Sequence, residues 1–338
     1  MENRNRKLSE IGEKKAIYDI ISKYISKPVY GEYLYFPEDC RDIYPIAPRI
    51  LFSIDGYSIK SAKLPWRTLS DIGWCAVVNA ISDHVCKGGL PRDIVVSIGL
   101  TGENTIGDLE DLMNGIEDAV KTYRLRLLGG DLNVTADPWI NVAVLSYTSI
   151  KKPPRRCCGK SGDLIIATGI YGAMGFLSIH GLEESMNIKW IVENTRRPIV
   201  YLETAFIISQ YYRFINASMD SSDGLGYTLL ELSRLSNKGI LLKNYPRYYS
   251  ELDKICGSEE CIWKYVLNGG EEYGSVIVIQ EEYVNRVVDY LNKLRIPHEV
   301  IGKFINKPPH LYYGDTILDD YVKQWDQFKG WIQKTTII

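Results

Sequence analysis

The sequence predicts a protein of mixed α/β or α+β class with two domains. Short apolar segments typical of strands alternate with amphipathic segments typical of helices, as in a sheet covered by helices. The 338 residues are enough for two hydrophobic cores of ordinary size. A basic run with two prolines, Lys151–Arg156, separates two such patterns and is the natural linker. We therefore expect an N-terminal domain over residues 1–152 and a C-terminal domain over residues 153–338.

The N-terminal domain is predicted to contain three helices. Apolar residues recur every three or four positions over residues 8–26, from Thr68 to Lys87, and over residues 106–124. The pair Gly88-Gly89 closes the second helix. Strands are predicted at "RILFSID" (49–55), "DIVVSIGL" (93–100), "LRLLGGD" (125–131) and "WINVAVLSYTSI" (139–150).

The C-terminal domain is predicted to begin with the strand in "GDLIIATGIYG", residues 162–172. Helices follow within residues 184–214 and over residues 225–238. The strands "GSVIVIQ" and "HEVIGKF" then flank a helix over residues 281–294. Trp325 and Trp331 are expected to pack against a domain, because exposed tryptophans are costly in water.

Composition excludes several classes of function. A formal charge of −2 gives no general attraction to nucleic acid or to an anionic membrane, so neither is expected as a partner. No apolar run reaches the roughly 18 to 20 residues of a membrane span, and the first residues lack the apolar core of a secretory signal. We therefore expect a cytoplasmic protein.

The seven cysteines are irregularly spaced and form no C-x-x-C motif, so a structural zinc site is not expected. Two close pairs, Cys157-Cys158 and Cys256 with Cys261, are candidates for redox chemistry. In a reducing compartment the alternative, buried or inactive thiols, is the better interpretation.

Aspartates stand where strands are predicted to end or helices to begin. An isolated Asp at such a position is commonly a helix cap or a turn residue. Asp55 and Asp131, however, are predicted to end apolar strands, at a sheet edge where functional sites are often built. Clustered carboxylates without lysine partners favour Mg²⁺ held together with nucleotide phosphates. The full set is Asp39, Asp55, Asp83, Asp131, Asp220 and Asp223.

Glycines next to these acids are predicted to let the backbone approach a ligand. They are Gly129-Gly130 before Asp131, Gly224 after Asp223, and Gly269-Gly270 before Glu271-Glu272. None of them forms a Walker A or G-x-G-x-x-G loop, so any ATP is not bound in the manner of a P-loop.

Six motifs, in their order and spacing, resemble the aminoimidazole ribonucleotide synthetase (PurM-like) superfamily, and within it most closely the thiamine-monophosphate kinase family. The similarity spans about residues 8–305. The motifs are "LSEIGEKKAI", "DIGWCAVVNAISDHVCKGGLP", "LLGGD", "RCCGKSGDLIIATGIYG", "SMDSSDGL" and "NGGEEYG".

The resemblance implies a two-domain fold in which the N-terminal domain contributes strands to a dimeric β-barrel and the C-terminal α/β domain completes the cleft. It implies a homodimer that binds ATP, Mg²⁺ and a small phosphorylated acceptor. The residues implied as catalytic are Asp220, Ser222 and Asp223. Those implied to bind the nucleotide are Gly129, Gly130, Asp131, Arg156 and Asp55. Those implied to bind the metal are Asp39, Asp55, Asp83, Asp131 and Asp220.

The sequence departs from the family mainly on the acceptor side. The family's T-T-D-M-L-V-E-G-V-H-F segment is here "SIDGYSIKSAK", in which only Asp55 is retained. Lys60, Lys63 and Arg67 in or near this segment could hold an anionic substrate or could be surface charges. Three hypotheses follow: a thiamine-monophosphate kinase, a related ATP-dependent enzyme with another acceptor, and a noncatalytic nucleotide-binding relative.

Overall fold

A computed structural model of the chain describes residues 4–32, 34, 36–38, 40–326 and 330–332. The chain divides into two compact units. The first consists of the chain up to His84 together with Leu90–Ser149, and the second of Val85–Gly89 together with the chain from Ile150 onward. No helix in the described part of the chain is long and apolar enough to cross a membrane.

The first unit is a four-stranded sheet with helices packed on it. The strands lie in the order β1-β4-β2-β3, and only β2 and β3 are parallel to each other. The strands are β1 Arg49–Ser58, β2 Leu90–Leu100, β3 Arg126–Val134 and β4 Trp139–Thr148. The helices are α1 Leu8–Ile11, α2 Glu13–Asp19, α3 Ile59–Ala62, α4 Leu69–Val85 and α5 Ile106–Tyr123, with a 3₁₀ turn at Ile21–Lys23.

The two faces of this sheet differ in their exposure. Residues alternate along β4, where Ile140, Val142 and Val144 are fully buried while the positions between them are only partly covered. On β1, Ser53 and Tyr57 hydrogen-bond to α4, so the face that carries them is the helix-covered one. The opposite face of β1 is apolar and open. Its Ile50, Phe52 and Ile54 are 47%, 68% and 65% exposed.

Helices α4 and α5 pack closely because small residues stand at their contact. A Cβ atom added to Gly115 of α5 would overlap the carbonyl oxygen of Ser70 in α4. Gly73 meets the backbone of Leu112 in the same way. Thr105 begins α5 with a capping box, since its side chain accepts from the Asp108 amide while the Asp108 carboxylate accepts from the Thr105 amide.

The second unit is built on a seven-stranded sheet in the order β11-β10-β7-β9-β5-β8-β6. Its strands are β5 Leu164–Thr168, β6 Ile215–Asp220, β7 Gly239–Leu242, β8 Ser275–Ile279, β9 His298–Ile305, β10 Leu311–Tyr313 and β11 Thr316–Ile317. A separate hairpin joins β12 Gln324–Asp326 and β13 Gly330–Ile332. The helices are α6 Ala173–Ser185, α7 Lys189–Arg196, α8 Thr204–Tyr211, α9 Leu225–Ser236, α10 Leu252–Ile255, α11 Glu259–Val266 and α12 Val284–Lys293, with 3₁₀ turns at Glu281–Tyr283 and Asp319–Tyr321.

The core of the second unit includes a cluster between β5, β6, β8 and the helices α8 and α12. Ile166, Ile277, Val287 and Leu291 are fully buried members of it. The linker runs along β6, the last strand of the sheet. Arg155 forms a parallel bridge with Ala217, and its carbonyl accepts a 2.9 Å hydrogen bond from the Ser218 amide.

The structure corrects two of the predictions and leaves a third untested. The helix expected over residues 8–26 is broken at Gly12, whose φ of 79° lies in the left-handed region, into α1, α2 and the 3₁₀ turn. Cys256 and Cys261 form a disulfide, so the interpretation of this pair as inactive thiols is wrong. The side chains of Trp325 and Trp331 lie outside the described part of the structure, so their packing stays a prediction.

The α4–α5 contact makes Gly115 a sensitive position. We expect Gly115→Ala to lower the free energy of unfolding by about 3 kcal/mol, because two helix backbones must separate to admit the methyl group. Urea denaturation monitored by circular dichroism measures this change. Gly257→Ala is the matched control, since a Cβ there meets nothing within 4 Å and should change stability by less than about 0.5 kcal/mol. Equal effects of the two substitutions would contradict the packing argument.

Candidate active site

Three segments of the second unit meet at the end of β6 that carries Asp220. The segment Ser221–Gly224 follows β6, the segment Asn268–Gly274 precedes β8, and Tyr171–Met174 begins α6. The Ser221 amide donates to the Gly274 carbonyl at 2.9 Å, and the Glu271 amide donates to the Ser222 carbonyl at 2.7 Å. The "SMDSSDGL" and "NGGEEYG" motifs therefore form one structure.

Glycine is required where these segments cross. A Cβ on Gly270 would lie 2.5 Å from the Ser222 carbonyl oxygen, and one on Gly269 would overlap the backbone of Met174 at the start of α6. The sequence analysis interpreted Gly269-Gly270 as space for a ligand. In the structure that space is filled by the protein's own backbone, so these glycines hold the segments together.

A buried hydrogen-bond network joins the residues that flank Asp220 in the second unit. The Tyr171 hydroxyl donates to the Thr168 carbonyl at 2.9 Å and lies 3.3 Å from Ser221 Oγ, while Thr168 Oγ1 accepts from the Ser275 amide. Desolvation raises the pKa of Tyr171, so the hydroxyl stays protonated and keeps donating. Asp220 itself is 1% exposed, and its backbone carbonyl accepts from Thr228 Oγ1 in α9 at 2.8 Å.

Glu272 is a site residue that the sequence analysis did not select. Its Oε1 accepts from the amides of Gly172 and Met174 at 2.7 and 3.2 Å, at the positive end of α6. Its Oε2 is buried and has no hydrogen-bond partner among the described residues. Burial raises the pKa of Glu272 well above its usual value, although the amide hydrogen bonds act in the opposite direction. The sequence signal for Glu272 is its position in the "NGGEEYG" motif, directly after the two glycines and Glu271.

Helix α9 begins at Leu225, and its N-cap residue is Gly224, which has no side chain with which to cap it. Asp223 is exposed and Ser222 is partly exposed. The charges of Asp223 and Arg156 act on the pKa of Tyr227 in opposite directions, after the larger effect of burial, which raises it. Arg156 and Asp223 therefore both lie near the first turn of α9.

In the first unit, Asp55 and Asp131 lie inside strands. The prediction that they end the strands is therefore wrong. Asp55 pairs with Val142 in β4, and Asp131 pairs with Ser97 in β2. They occupy opposite edge strands of the sheet, about 14 Å apart at the usual strand spacing. Pairing also places Asp55 in the row of Val142, on the helix-covered face, and Asp131 in the neighbouring row, on the open face.

The glycine pair before Asp131 has a structural role in part. A Cβ on Gly130 would overlap the Val96 carbonyl oxygen, so this glycine lets β3 pair with β2. A Cβ on Gly129 would meet nothing within 4 Å, so Gly129 leaves open space beside the strand. Only Gly129 keeps the geometry expected of a ligand-facing glycine.

Asp83 lies half-buried in the last turn of α4, next to the buried His84. His84 Nε2 and Ser53 Oγ are 2.7 Å apart, which joins the end of α4 to the strand that carries Asp55. Desolvation lowers the pKa of His84 to about 4, so the imidazole is neutral at pH 7. Asp39 lies outside the described residues.

The described residues contain no group of three or more Asp, Glu, His or Cys side chains close enough to hold a metal ion. In the rewritten acceptor segment, Lys60 and Lys63 are exposed. Arg67 is 3% exposed and its Nη1 donates to the Ala62 carbonyl at 3.1 Å, so it is not a surface charge.

A buried ion network holds the segment that precedes β1. Glu32 accepts from Arg41 at 3.0 Å and from Arg126 at 2.8 Å, and Arg126 also pairs with Asp93. The side chain of Glu32 is fully buried in this network. Burial alone would raise the pKa of Glu32, but the Val29 amide and the two arginines outweigh it and lower the pKa to about 2.

The chain is similar to a known protein family model and to several known proteins. Residues 40–148 match the family model of the AIR synthase related protein, N-terminal domain. The thiamine-monophosphate kinase of Nitrosopumilus maritimus (strain SCM1) is 27% identical over 262 residues, which cover 77% of this chain and 83% of the relative.

Two solved structures have the same fold. Thiamine-monophosphate kinase from Stenotrophomonas maltophilia K279a superposes with a TM-score of 0.74 at 18% identity, over 84% of this chain and 91% of that chain. The structure described as AaThiL complexed with AMPPCP and TMP superposes with a TM-score of 0.67 at 22% identity, over 93% and 97%. The resemblance predicted from the motifs and the PurM-like α+β fold are thus confirmed, whereas the dimeric barrel stays a prediction.

The ion network predicts a pH-dependent stability. We expect Glu32→Gln to lower the free energy of unfolding by about 3 kcal/mol at pH 7, because it leaves the buried Arg41 guanidinium without its carboxylate and removes one of the two carboxylates that pair with Arg126. The folded-state pKa is lowered from 4.5, so the stabilisation is complete above pH 4.5 and is lost as the pH falls towards 2. Urea denaturation at pH 7, 5, 4 and 3 should therefore show the difference from wild type shrinking below pH 4.5. Glu282→Gln, at an exposed position, is the control; a difference that stays constant with pH would refute the assignment.

Proposed function

We propose that the chain is a Mg²⁺-dependent thiamine-monophosphate kinase, which transfers the γ-phosphoryl group of ATP to thiamine phosphate and forms thiamine diphosphate and ADP. The observation that carries the proposal is that main-chain hydrogen bonds join the "SMDSSDGL" and "NGGEEYG" segments next to the buried Asp220 in a PurM-like fold. The kinases that match most of the chain support the same reaction. The bound AMPPCP of one structural neighbour, an analogue of ATP, supports ATP as the phosphoryl donor.

The acidic residues have the donor chemistry that Mg²⁺ requires. Carboxylate oxygens are hard ligands, and protein-bound Mg²⁺ keeps several waters and takes only one or two carboxylates besides the substrate phosphates. A single ion therefore does not require a preformed group of three acids. We propose Asp55, Asp83, Asp131 and Asp220 as metal-binding residues, together with Asp39 from outside the described part of the chain. This set serves more than one ion, because Asp55 and Asp131 lie about 14 Å apart on opposite faces of the sheet and cannot hold the same ion within one chain.

When bound, Mg²⁺ supplies charge neutralisation at the phosphate oxygens. Thiamine phosphate is a monoester whose second pKa is about 6, so it is largely ionised at pH 7 and needs no strong general base. The protein then contributes mainly position and charge. We propose that Ser222 and Asp223 face the phosphates, on a segment that its hydrogen bond to Glu271 holds in place, and that Arg156 adds a positive charge nearby. Gly129 lets the backbone beside Asp131 approach the nucleotide.

A second candidate is an ATP-dependent enzyme of the same fold that acts on another small acceptor. The rewritten segment "SIDGYSIKSAK" favours it, because Arg67 is bound within its own unit and only Lys60 and Lys63 remain exposed for an acceptor. A noncatalytic nucleotide-binding role is the third outcome.

The reaction is tested with purified protein, ATP, Mg²⁺ and thiamine monophosphate, with thiamine diphosphate and ADP measured by chromatography. We expect both products in equal amounts. ADP without thiamine diphosphate would indicate the second candidate, and ATP binding without ADP would indicate the noncatalytic role.

Asp131→Asn should weaken Mg²⁺-dependent ATP binding at least about a hundredfold, because the substitution replaces a metal-binding carboxylate at an exposed position by a neutral amide. Asp289→Asn, an exposed acid on α12, should leave it unchanged; unchanged binding in Asp131→Asn as well would refute the metal assignment.

We also propose that two copies of the chain pair through the open face of the first sheet. This face presents Ile50, Phe52 and Ile54 on β1 and Val95 on β2 to solvent, and an apolar patch of this kind is unusual on a monomer. Burying it between two sheets would remove it from water.

Phe52→Asp should convert the dimer into a monomer, because a carboxylate would have to be desolvated at the centre of the patch. Light scattering after gel filtration measures the mass. Phe206→Asp, at a phenylalanine of α8 that is 52% exposed, should remain a dimer. A wild-type protein that is monomeric at micromolar concentration would exclude the pairing.

A further inference from the structure

A cavity of about 330 Å³ opens at the start of β6, between the linker and the turn after α8. Its wall includes Lys152 and Arg155 from the linker, and Tyr212, Arg213 and Asn216 from the chain that enters β6. We call it the linker cavity. It is formed entirely by the second unit.

The linker cavity is cationic. Lys152, Arg155 and Arg213 contribute three positive charges, and none of the described residues that line the wall carries a carboxylate. In the described part of the chain, none of the three forms an ion pair with an acidic side chain. Asp163, which contacts the wall residue Asn216, is 5% exposed and accepts hydrogen bonds from Asn216 Nδ2 and the Lys160 amide, both at 2.7 Å. The charge of the wall is therefore uncompensated on the side that faces the cavity.

The wall is also held in shape. The backbone of Arg155 is fixed on β6 through its bridge with Ala217. The guanidinium of Arg213 lies over the ring of Tyr212, 5.8 Å from its centroid, and its Nε donates to the Tyr212 hydroxyl at 3.3 Å. The hydrogen bond to Asp163 orients the Asn216 amide. The side chains of Lys152, Arg155 and Arg213 are exposed, but the fixed backbone of Arg155 and the contacts of Arg213 and Asn216 lower the entropic cost of binding an anion.

This cavity opens at the opposite end of β6 from the candidate active site, and Arg155 of its wall directly precedes Arg156, which is proposed to lie near the nucleotide. Ile215 at its wall and Asp220 in the site are the first and last residues of β6, about 17 Å apart in an extended strand. Of the described residues assigned to ATP, metal or catalysis, none lines it.

We propose that the linker cavity is a second anion site that binds a phosphate dianion, either free or carried by a small organic molecule. Guanidinium groups pair with phosphate oxygens through two parallel hydrogen bonds, and Lys152 would add a point charge. The volume lies at the lower end of the range for small-molecule sites, which leaves room for more than the anion itself. The proposal is independent of the kinase reaction.

Isothermal titration of the full chain with inorganic phosphate tests the proposal, at low ionic strength and without Mg²⁺ or ATP. We expect one phosphate per chain. Arg213→Gln and Arg155→Gln should each weaken the binding about tenfold, and the double variant should abolish it. Lys293→Gln, which removes an exposed charge on α12, should bind as wild type does. Thermal denaturation and circular dichroism of each variant verify that it is folded.

Two further titrations distinguish the sources of the phosphate. Ribose 5-phosphate that binds at least tenfold more tightly than inorganic phosphate, with no binding of ribose, assigns the site to a phosphate ester; equal affinities assign it to the free ion. Phosphate binding that is unchanged in the double variant, or no binding of either phosphate at 20 mM, would overturn the proposal. Kinase activity of the same variants is a separate measurement, so a failure of the proposed reaction leaves this test intact.

Discussion

The close crossing of backbone segments at the end of β6 is the constraint on which the second unit depends. Main-chain hydrogen bonds join Ser221 to Gly274 and Ser222 to Glu271, and the crossing is possible only because Gly269 and Gly270 carry no side chain. A larger residue at either position would push the segment after β6 away from the start of α6. The positions of Asp220, Ser222 and Glu272 thus follow from one steric requirement.

Glu272 shows how this constraint reaches the chemistry. Its carboxyl group accepts amide hydrogen bonds at the start of α6 while its second oxygen is buried without a hydrogen-bond partner among the described residues. Desolvation favours the protonated form, and a protonated carboxyl group can both donate and accept. Burial likewise raises the pKa of Tyr171, whose hydroxyl lies 3.3 Å from Ser221 Oγ, next to Asp220 in the chain.

The sequence predicted much of the fold because periodicity reports local structure well. Helices α4 and α5, the four strands of the first sheet and β5, β8 and β9 of the second follow apolar spacing, whereas β6, β7, β10 and β11 were not predicted. The ordered motifs indicated the resemblance that the comparisons confirm. The errors arose where tertiary contacts decide. Spacing cannot reveal that Gly12 interrupts a helix, that Asp55 and Asp131 lie inside strands on opposite faces, or that the Cys256–Cys261 pair is bonded. Glu272 was missed because a buried acid at a helix start has the same sequence pattern as a surface one.

The bridge between the linker and β6 has a consequence for solubility. An edge strand with free amides and carbonyls can pair with a strand of another molecule and begin aggregation. In this sheet one edge is β6, where Arg155 occupies part of the exposed backbone through Ala217 and Ser218. The other edge is β11, which has only two residues. Both ends of the seven-stranded sheet are therefore poor templates for intermolecular strand pairing, and the connection between the domains protects one of them.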